Sequence, residues 1–272
     1  MTRQAAREME LPGGGLDVAK MPGHWVLARL GKRVLRPGGL AMTRSLLHGL
    51  DIGPADEVVE FAPGLGVTAR MILERRPLRY TGVERDPQAA AWTARRLYGL
   101  PNVSIVSGAA DATSLPGDSA SVVVGEAMLS MNTAEHKRRI VAEACRLLRP
   151  GGRYGIHELC IVPDDMPAER KQEIDRTLSS VIHVGARPLR ASEWKALLED
   201  AGFEVTAEDY APMHLLRPRR VVQDEGLAGA LRLAKNVLTD WPARRRVLAM
   251  RRVFERYRDN LRAVSIVARK TA

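Results

Sequence analysis

The run Glu57-Val58-Val59-Glu60-Phe61-Ala62-Pro63-Gly64-Leu65-Gly66-Val67-Thr68 constrains this chain more than any other stretch. A short apolar segment passes directly into a turn with two glycines and then into a helical pattern, which is half of a βαβ unit. Backbone without a Cβ can adopt positive φ cheaply and approach a ligand closely. The acid at the end of the strand, Glu60, sets the sign of that ligand. It would repel pyrophosphate, and the spacing is not the G-x-G-x-x-G of a dinucleotide site. A cationic group suits it.

Two more acids follow apolar runs: Glu84 after Tyr80-Thr81-Gly82-Val83, twenty residues beyond Gly64, and Asp111 after Val103-Ser104-Ile105-Val106. A carboxylate at the position of Glu84 reaches ribose hydroxyls in a βαβ nucleotide site. Three acids ending three successive strands resemble the class I S-adenosylmethionine-dependent methyltransferases over roughly residues 40 to 210. The resemblance implies S-adenosylmethionine as cofactor, with Glu60 and the backbone around Gly64 and Gly66 on its methionine part. It also implies Glu84 on both ribose hydroxyls and Asp111 on the adenine amino group. Arg85, Ala110, Ala112 and Glu126 complete the implied cofactor set. Ala62 departs from the pattern: it stands where the family usually has its first glycine, and with Pro63 it makes the turn stiffer and bulkier. Within the family the chain is most similar to the type 11 small-molecule branch that includes quinone-biosynthesis methyltransferases.

The alternation of patterns agrees with a doubly wound α/β fold, a mostly parallel, seven-stranded Rossmann-like sheet with helices on both faces. Strands are expected at 56–61, 79–84, 103–106, 120–125, 153–159, 203–210 and 263–268. An N-terminal helical segment, 1–50, with helices at 22–35 and 41–50, precedes a methyltransferase domain over 51–270. Between the last two strands, 211–260 reads as a helical cap. It carries two apolar stripes, Leu227/Leu231/Ala234/Leu238 and Val247/Met250/Phe254/Tyr257, and both read as packing faces.

With 272 residues and 45% hydrophobic content, the chain suffices for one such domain with a cap. The polar start, Met1 to Leu16, and the absence of any run as long as a membrane span favour a cytoplasmic protein. Cys145 and Cys160 make neither a disulfide framework nor a zinc set, so no metal is expected. The formal net charge is +10, and Arg217 to Lys270 holds fifteen Lys and Arg against five Asp and Glu, the whole of the excess. Such a segment attracts phosphate, anionic lipid or an acidic substrate, or is a solvated helical face.

In open α/β sheets the ligand meets the loops after the strands' carboxyl ends. The fourth-strand loop, Gly125-Glu126-Ala127-Met128, lacks the Asn/Asp-Pro-Pro-aromatic and Pro-Cys signatures of enzymes that methylate nucleic-acid bases. The expected acceptor is therefore a small, partly apolar molecule, with the methylated atom (O, N, S or C) open. RNA bound through the basic C-terminal segment is the alternative, and a homodimer remains possible. A phenol or thiol acceptor needs a base. His157 is the first candidate, with Glu158 as its orienter or as a binder of a cationic acceptor, and His183, in a linker over the cleft, is the second. Lys32 or Arg33 is expected near the methionine carboxylate.

Overall fold

Val58-Val59 in β1 (Glu57–Phe61) and Val122-Val123-Val124 in β4 (Ala120–Glu126) are buried side by side along their strands. Both faces of a parallel sheet are covered by helices, so its central strands are continuous apolar runs. The computed structural model describes residues 11–271. The sheet runs in the order β3 (Val103–Ser107), β2 (Arg79–Glu84), β1, β4, β5 (Leu148–Ile161), β8 (Leu261–Lys270), β7 (Phe203–Pro212). From β3 to β5 all pairs are parallel, whereas β8 is antiparallel to both β5 and β7. A two-residue strand, β6 (Leu189–Arg190), pairs with the end of β5. It is an eighth strand that the sequence did not announce, because two residues leave no periodic pattern.

The strand order reverses between β1 and β4, and the crevice at their carboxyl ends is where such sheets bind ligands. On one face, α2 (Gly39–Gly49) packs Leu46, Leu47 and Leu50 against Val58, Val122 and Val267. On the other, α5 (Ala134–Leu147) and α7 (Ala191–Glu199) bring Ile140, Val141, Trp194 and Leu198 to Val59, Val123 and Ile156. Next to the glycine turn come α3 (Val67–Leu73) and α4 (Pro87–Arg96). The Asp86 side chain caps α4 by accepting from the amides of Gln88 and Ala89, with Pro87 in the first turn.

Three helices form the roof of the crevice, α1 (Gly23–Arg29), α6 (Ala168–Ile182) and α9 (Trp241–Arg256), and α8 (Pro218–Thr239) packs against α9. α1 is shorter than the expected 22–35, since Gly31, at φ 104°, turns the chain out of the helix. The second cap stripe is turned inward, with Met250, Phe254 and Tyr257 buried. The first stripe is not. Leu227, Leu231 and Leu238 are 67%, 63% and 66% exposed, and α8 instead buries Val221 and Leu233, with Ala230 and Val237 packed beside them. This helix carries two apolar rows, and the neighbouring helices select only one. Of the expected 1–50 segment, residues 1–10 lie outside the described residues. No described helix is long and apolar enough to cross a membrane.

Candidate functional site

After β1 the chain passes through three residues in the left-handed region, Ala62 (φ 53°), Gly64 (φ 55°) and Gly66 (φ 71°). The Ala62 amide donates to the Val83 carbonyl at 2.8 Å, and Thr93 Oγ1 donates to the Gly64 carbonyl at 2.6 Å, so the turn is tied to β2 and α4. The Gly64 amide donates to Glu84 Oε2 and the Asp86 amide to Glu84 Oε1, each at 3.1 Å. Burial pushes the Glu84 carboxyl above its ordinary value. Ala127, just past β4, also has positive φ (52°). Two alanines at the ends of adjacent strands thus hold a conformation that L-residues avoid, and both line the same cavity. Ala62→Gly should therefore raise stability by roughly 0.5–1 kcal/mol, strain relief partly offset by the greater freedom of glycine in the unfolded chain. Urea denaturation checks this, and a lower midpoint with an unchanged slope would contradict it.

That cavity, of about 550 Å³, is bounded below by the β1, β2, β3 and β4 loops and above by α1, α6 and α9. In its floor sits a buried charge cluster. Glu126 Oε1 lies 2.7 Å from both Thr43 Oγ1 and His157 Nδ1, and its Oε2 accepts from Arg36 Nη1 at 2.8 Å and from Thr68 Oγ1. Burial works to raise the Glu126 pKa, but Arg36, His157 and Thr68 outweigh it and hold the carboxyl at about 2. Arg36 lines the cavity, and its Nε and Nη2 are buried without a partner among the described residues. Its loop is clamped by the start of α8: Glu225 Oε1 accepts from the Arg33 and Val34 amides at 2.9 Å, and Asp224 Oδ1 from the Leu40 amide at 3.0 Å.

Beneath the glycine turn, Glu60 is buried, accepts from the Tyr80 hydroxyl at 2.6 Å, and is pushed up to about 8 by burial. At the far end Asp111 pairs with His136 Nε2 at 3.1 Å and Arg139 Nε at 3.2 Å. Arg85, Ala110 and Asp111 line the cavity together with Ala62, Gly64, Glu84 and Glu126.

Comparison with known proteins places this geometry. A family model described as a methyltransferase domain matches residues 58–152. The chain is 32% identical to an uncharacterised protein of Haemophilus influenzae, over 79% of this chain and 85% of that one. It is 26% identical to the 27-O-demethylrifamycin SV methyltransferase of Amycolatopsis mediterranei, over 62% of this chain and 61% of that one. The chain belongs to the class I S-adenosylmethionine-dependent methyltransferases. Solved structures agree in fold. The phosphoethanolamine N-methyltransferase 2 of Haemonchus contortus, in complex with S-adenosyl-L-methionine, superposes with a TM-score of 0.67 at 15% identity, covering 98% of this chain and 59% of that one. A geranyl diphosphate methyltransferase in complex with GPP and sinefungin gives 0.62 at 19%, covering 85% and 78%.

S-adenosylmethionine is the cofactor of this methyltransferase, and the residues present fit it. Carboxylates at Glu84 and Asp111 face the cavity from the ends of β2 and β3, and the glycine turn leaves backbone bare. The two guanidinium nitrogens of Arg36 that lack a partner among the described residues are donors suited to an anionic group.

Several sequence expectations are corrected. Lys32 is fully buried, paired with Asp224 and Glu225, and does not line the cavity, whereas Arg33 lines it together with Arg36. His157 does not reach the cavity. Both ring nitrogens are engaged, Nδ1 with Glu126 Oε1 at 2.7 Å and Nε2 with the Pro37 carbonyl at 2.5 Å, so neither is free to act as a base. His183 ends α6 in a left-handed conformation and is exposed, away from the cavity lining. Glu158 lies at the cavity wall, but its oxygens accept from the Met128, Leu129 and Ser130 amides at 2.7–3.0 Å and from Ser130 Oγ at 2.7 Å. It shapes the β4 loop and does not orient His157. Glu60, Gly66 and Ala112 do not line the cavity, and the oxygens of Glu126 are committed to protein donors. Sequence reasoning missed Arg36, Thr43 and Thr68. No local signal marks them, because each gains its role from contact with Glu126 across 58 to 90 residues of chain.

Proposed function

We propose that this methyltransferase acts on a small, largely apolar acceptor, of the class handled by the type 11, quinone-biosynthesis-like branch. The observation that supports this is the division of the cavity into two chemistries. Its floor carries Arg36, Glu84 and Asp111, whereas its roof is built from Leu27, Leu178, Ile182, Met213, Met250 and Phe254. Such a roof rewards apolar surface and offers no counter-charge to an ionic acceptor.

When bound, S-adenosylmethionine supplies an electrophilic methyl group on a sulfonium centre. In this reading Glu84 accepts from the ribose hydroxyls, Asp111 from the adenine amino group, and Arg36 donates to the methionine carboxylate. The apolar roof excludes water and aligns the acceptor. Among the histidines that line the cavity, His136 is paired with Asp111, and His24 has no hydrogen bond among the described residues. His24 is exposed where it lines the cavity, and the protein packed around it shifts its imidazole below the ordinary value. A lowered imidazole is a weaker proton acceptor. In this reading the acceptor is nucleophilic without a histidine base, as an amine, an enol carbon or an acidic phenol.

Leu178→Asn and Phe254→Asn test the reading. Each should raise KM for an apolar acceptor about tenfold or more, since burying such a side chain contributes roughly 1.5–3 kcal/mol. Cofactor affinity by calorimetry should stay within about twofold, because the floor is untouched. Unchanged KM, or an equal loss of cofactor affinity, would sink the proposal.

A further inference from the structure

The outer face of the α8 and α9 hairpin is apolar and cationic at once. Leu227, Leu231 and Leu238, four and seven residues apart, share one side of α8, each more than 60% exposed. Trp241, 63% exposed, opens α9, and Leu248 follows on its outer side. Val221, Leu233 and Ala243 of the two helices enter one buried cluster, so their opposite faces are presented together.

The charges around these side chains have one sign. Arg232, Lys235, Arg245, Arg251 and Arg252 are exposed and take part in no ion pair among the described residues. The acids of the hairpin point elsewhere. Asp224 and Glu225 turn inward to Lys32 and the loop that carries Arg36, Asp240 pairs with Arg29 and caps α9, and Glu255 is taken by Arg217 and Arg258. The Arg244 guanidinium lies 5.5 Å over the Trp241 ring.

We propose that this face docks the enzyme on an anionic lipid bilayer. Leucines and a tryptophan enter the interface while the flanking Arg and Lys side chains reach the headgroups, the pairing of signals that holds peripheral helices to membranes. Phosphate of a nucleic acid would engage the arginines and leave the leucines in water. A second copy of the chain would bring like charges together. The lipid surface alone satisfies both chemistries, and it goes beyond any assignment of the acceptor.

The test is co-sedimentation of the full chain with vesicles of phosphatidylglycerol and phosphatidylcholine, against phosphatidylcholine alone. Binding should be about tenfold or more stronger on the anionic vesicles. The pairs Leu231→Asn with Leu238→Asn, and Arg232→Gln with Lys235→Gln, should each weaken it by about tenfold or more. Cofactor affinity by calorimetry should stay unchanged in both, which certifies the fold. Absence of vesicle binding, or full binding by the leucine variant, overturns the proposal. So does a dimer in analytical ultracentrifugation that the leucine pair dissolves while vesicles go unbound. Retention on a polynucleotide that only the cationic pair abolishes, again with vesicles unbound, overturns it in favour of nucleic acid.

Discussion

Glu126→Ala should lower stability by about 3–5 kcal/mol, the size expected when one partner of a buried ion pair is removed. The loss arises at Arg36, whose Nη1 donates to Glu126 and whose Nε and Nη2 have no partner among the described residues, so the variant removes the carboxylate paired with a buried guanidinium. Thr43 and Thr68 lose their acceptor as well. Acid should reveal the same interaction. The folded-state pKa of Glu126 is depressed to about 2 from an ordinary 4.5, so its contribution is whole above pH 4.5 and lost as pH falls through about 2. That contribution is on the order of 3 kcal/mol. Urea melts at stepped pH should therefore show wild type losing stability across this window more steeply than Glu126→Gln. Glu143, held at about 2 chiefly by its hydrogen bond from Arg146, is present in both proteins and cancels in the difference. Parallel acid curves would refute the assignment.

The second large effect is expected at Glu158. Its carboxylate gathers three consecutive backbone amides, Met128, Leu129 and Ser130, and the Ser130 hydroxyl, in a fully buried position. Glu158→Ala leaves those donors unsatisfied, and at about 1–3 kcal/mol for each buried orphan the cost should reach roughly 3 kcal/mol or more. The amides belong to the loop that closes the cavity after β4, so the melting temperature and turnover should fall together. Glu158→Gln keeps one acceptor oxygen and should recover part of both. An acid or base acting directly on the acceptor would behave otherwise: the melting temperature would hold in both variants while kcat alone collapsed. Calorimetric melting beside single-turnover rates separates the two outcomes.

What the sequence determined by itself is the central half of the sheet and the acids at its edge. β1 and β4 are apolar runs because parallel strands buried on both faces need nothing else, and Glu84, the last residue of β2, and Asp111, four residues past β3, both line the cavity. The inward stripe of α9 was legible for a similar reason, since Met250, Phe254 and Tyr257 form its only broad apolar row. Tertiary structure decided the rest. α8 has two apolar rows, and only the packing of α1 against Leu233 and Val221 turned Leu227, Leu231 and Leu238 outward. His157 reads along the chain as a candidate base, and in the fold both its ring nitrogens are engaged, one by Glu126 and one by the Pro37 carbonyl. Arg36 and Glu126 lie ninety residues apart. Periodicity and local spacing record which face a residue presents to its own element, whereas a buried ion pair depends on where two elements meet, and no short window of sequence contains both partners.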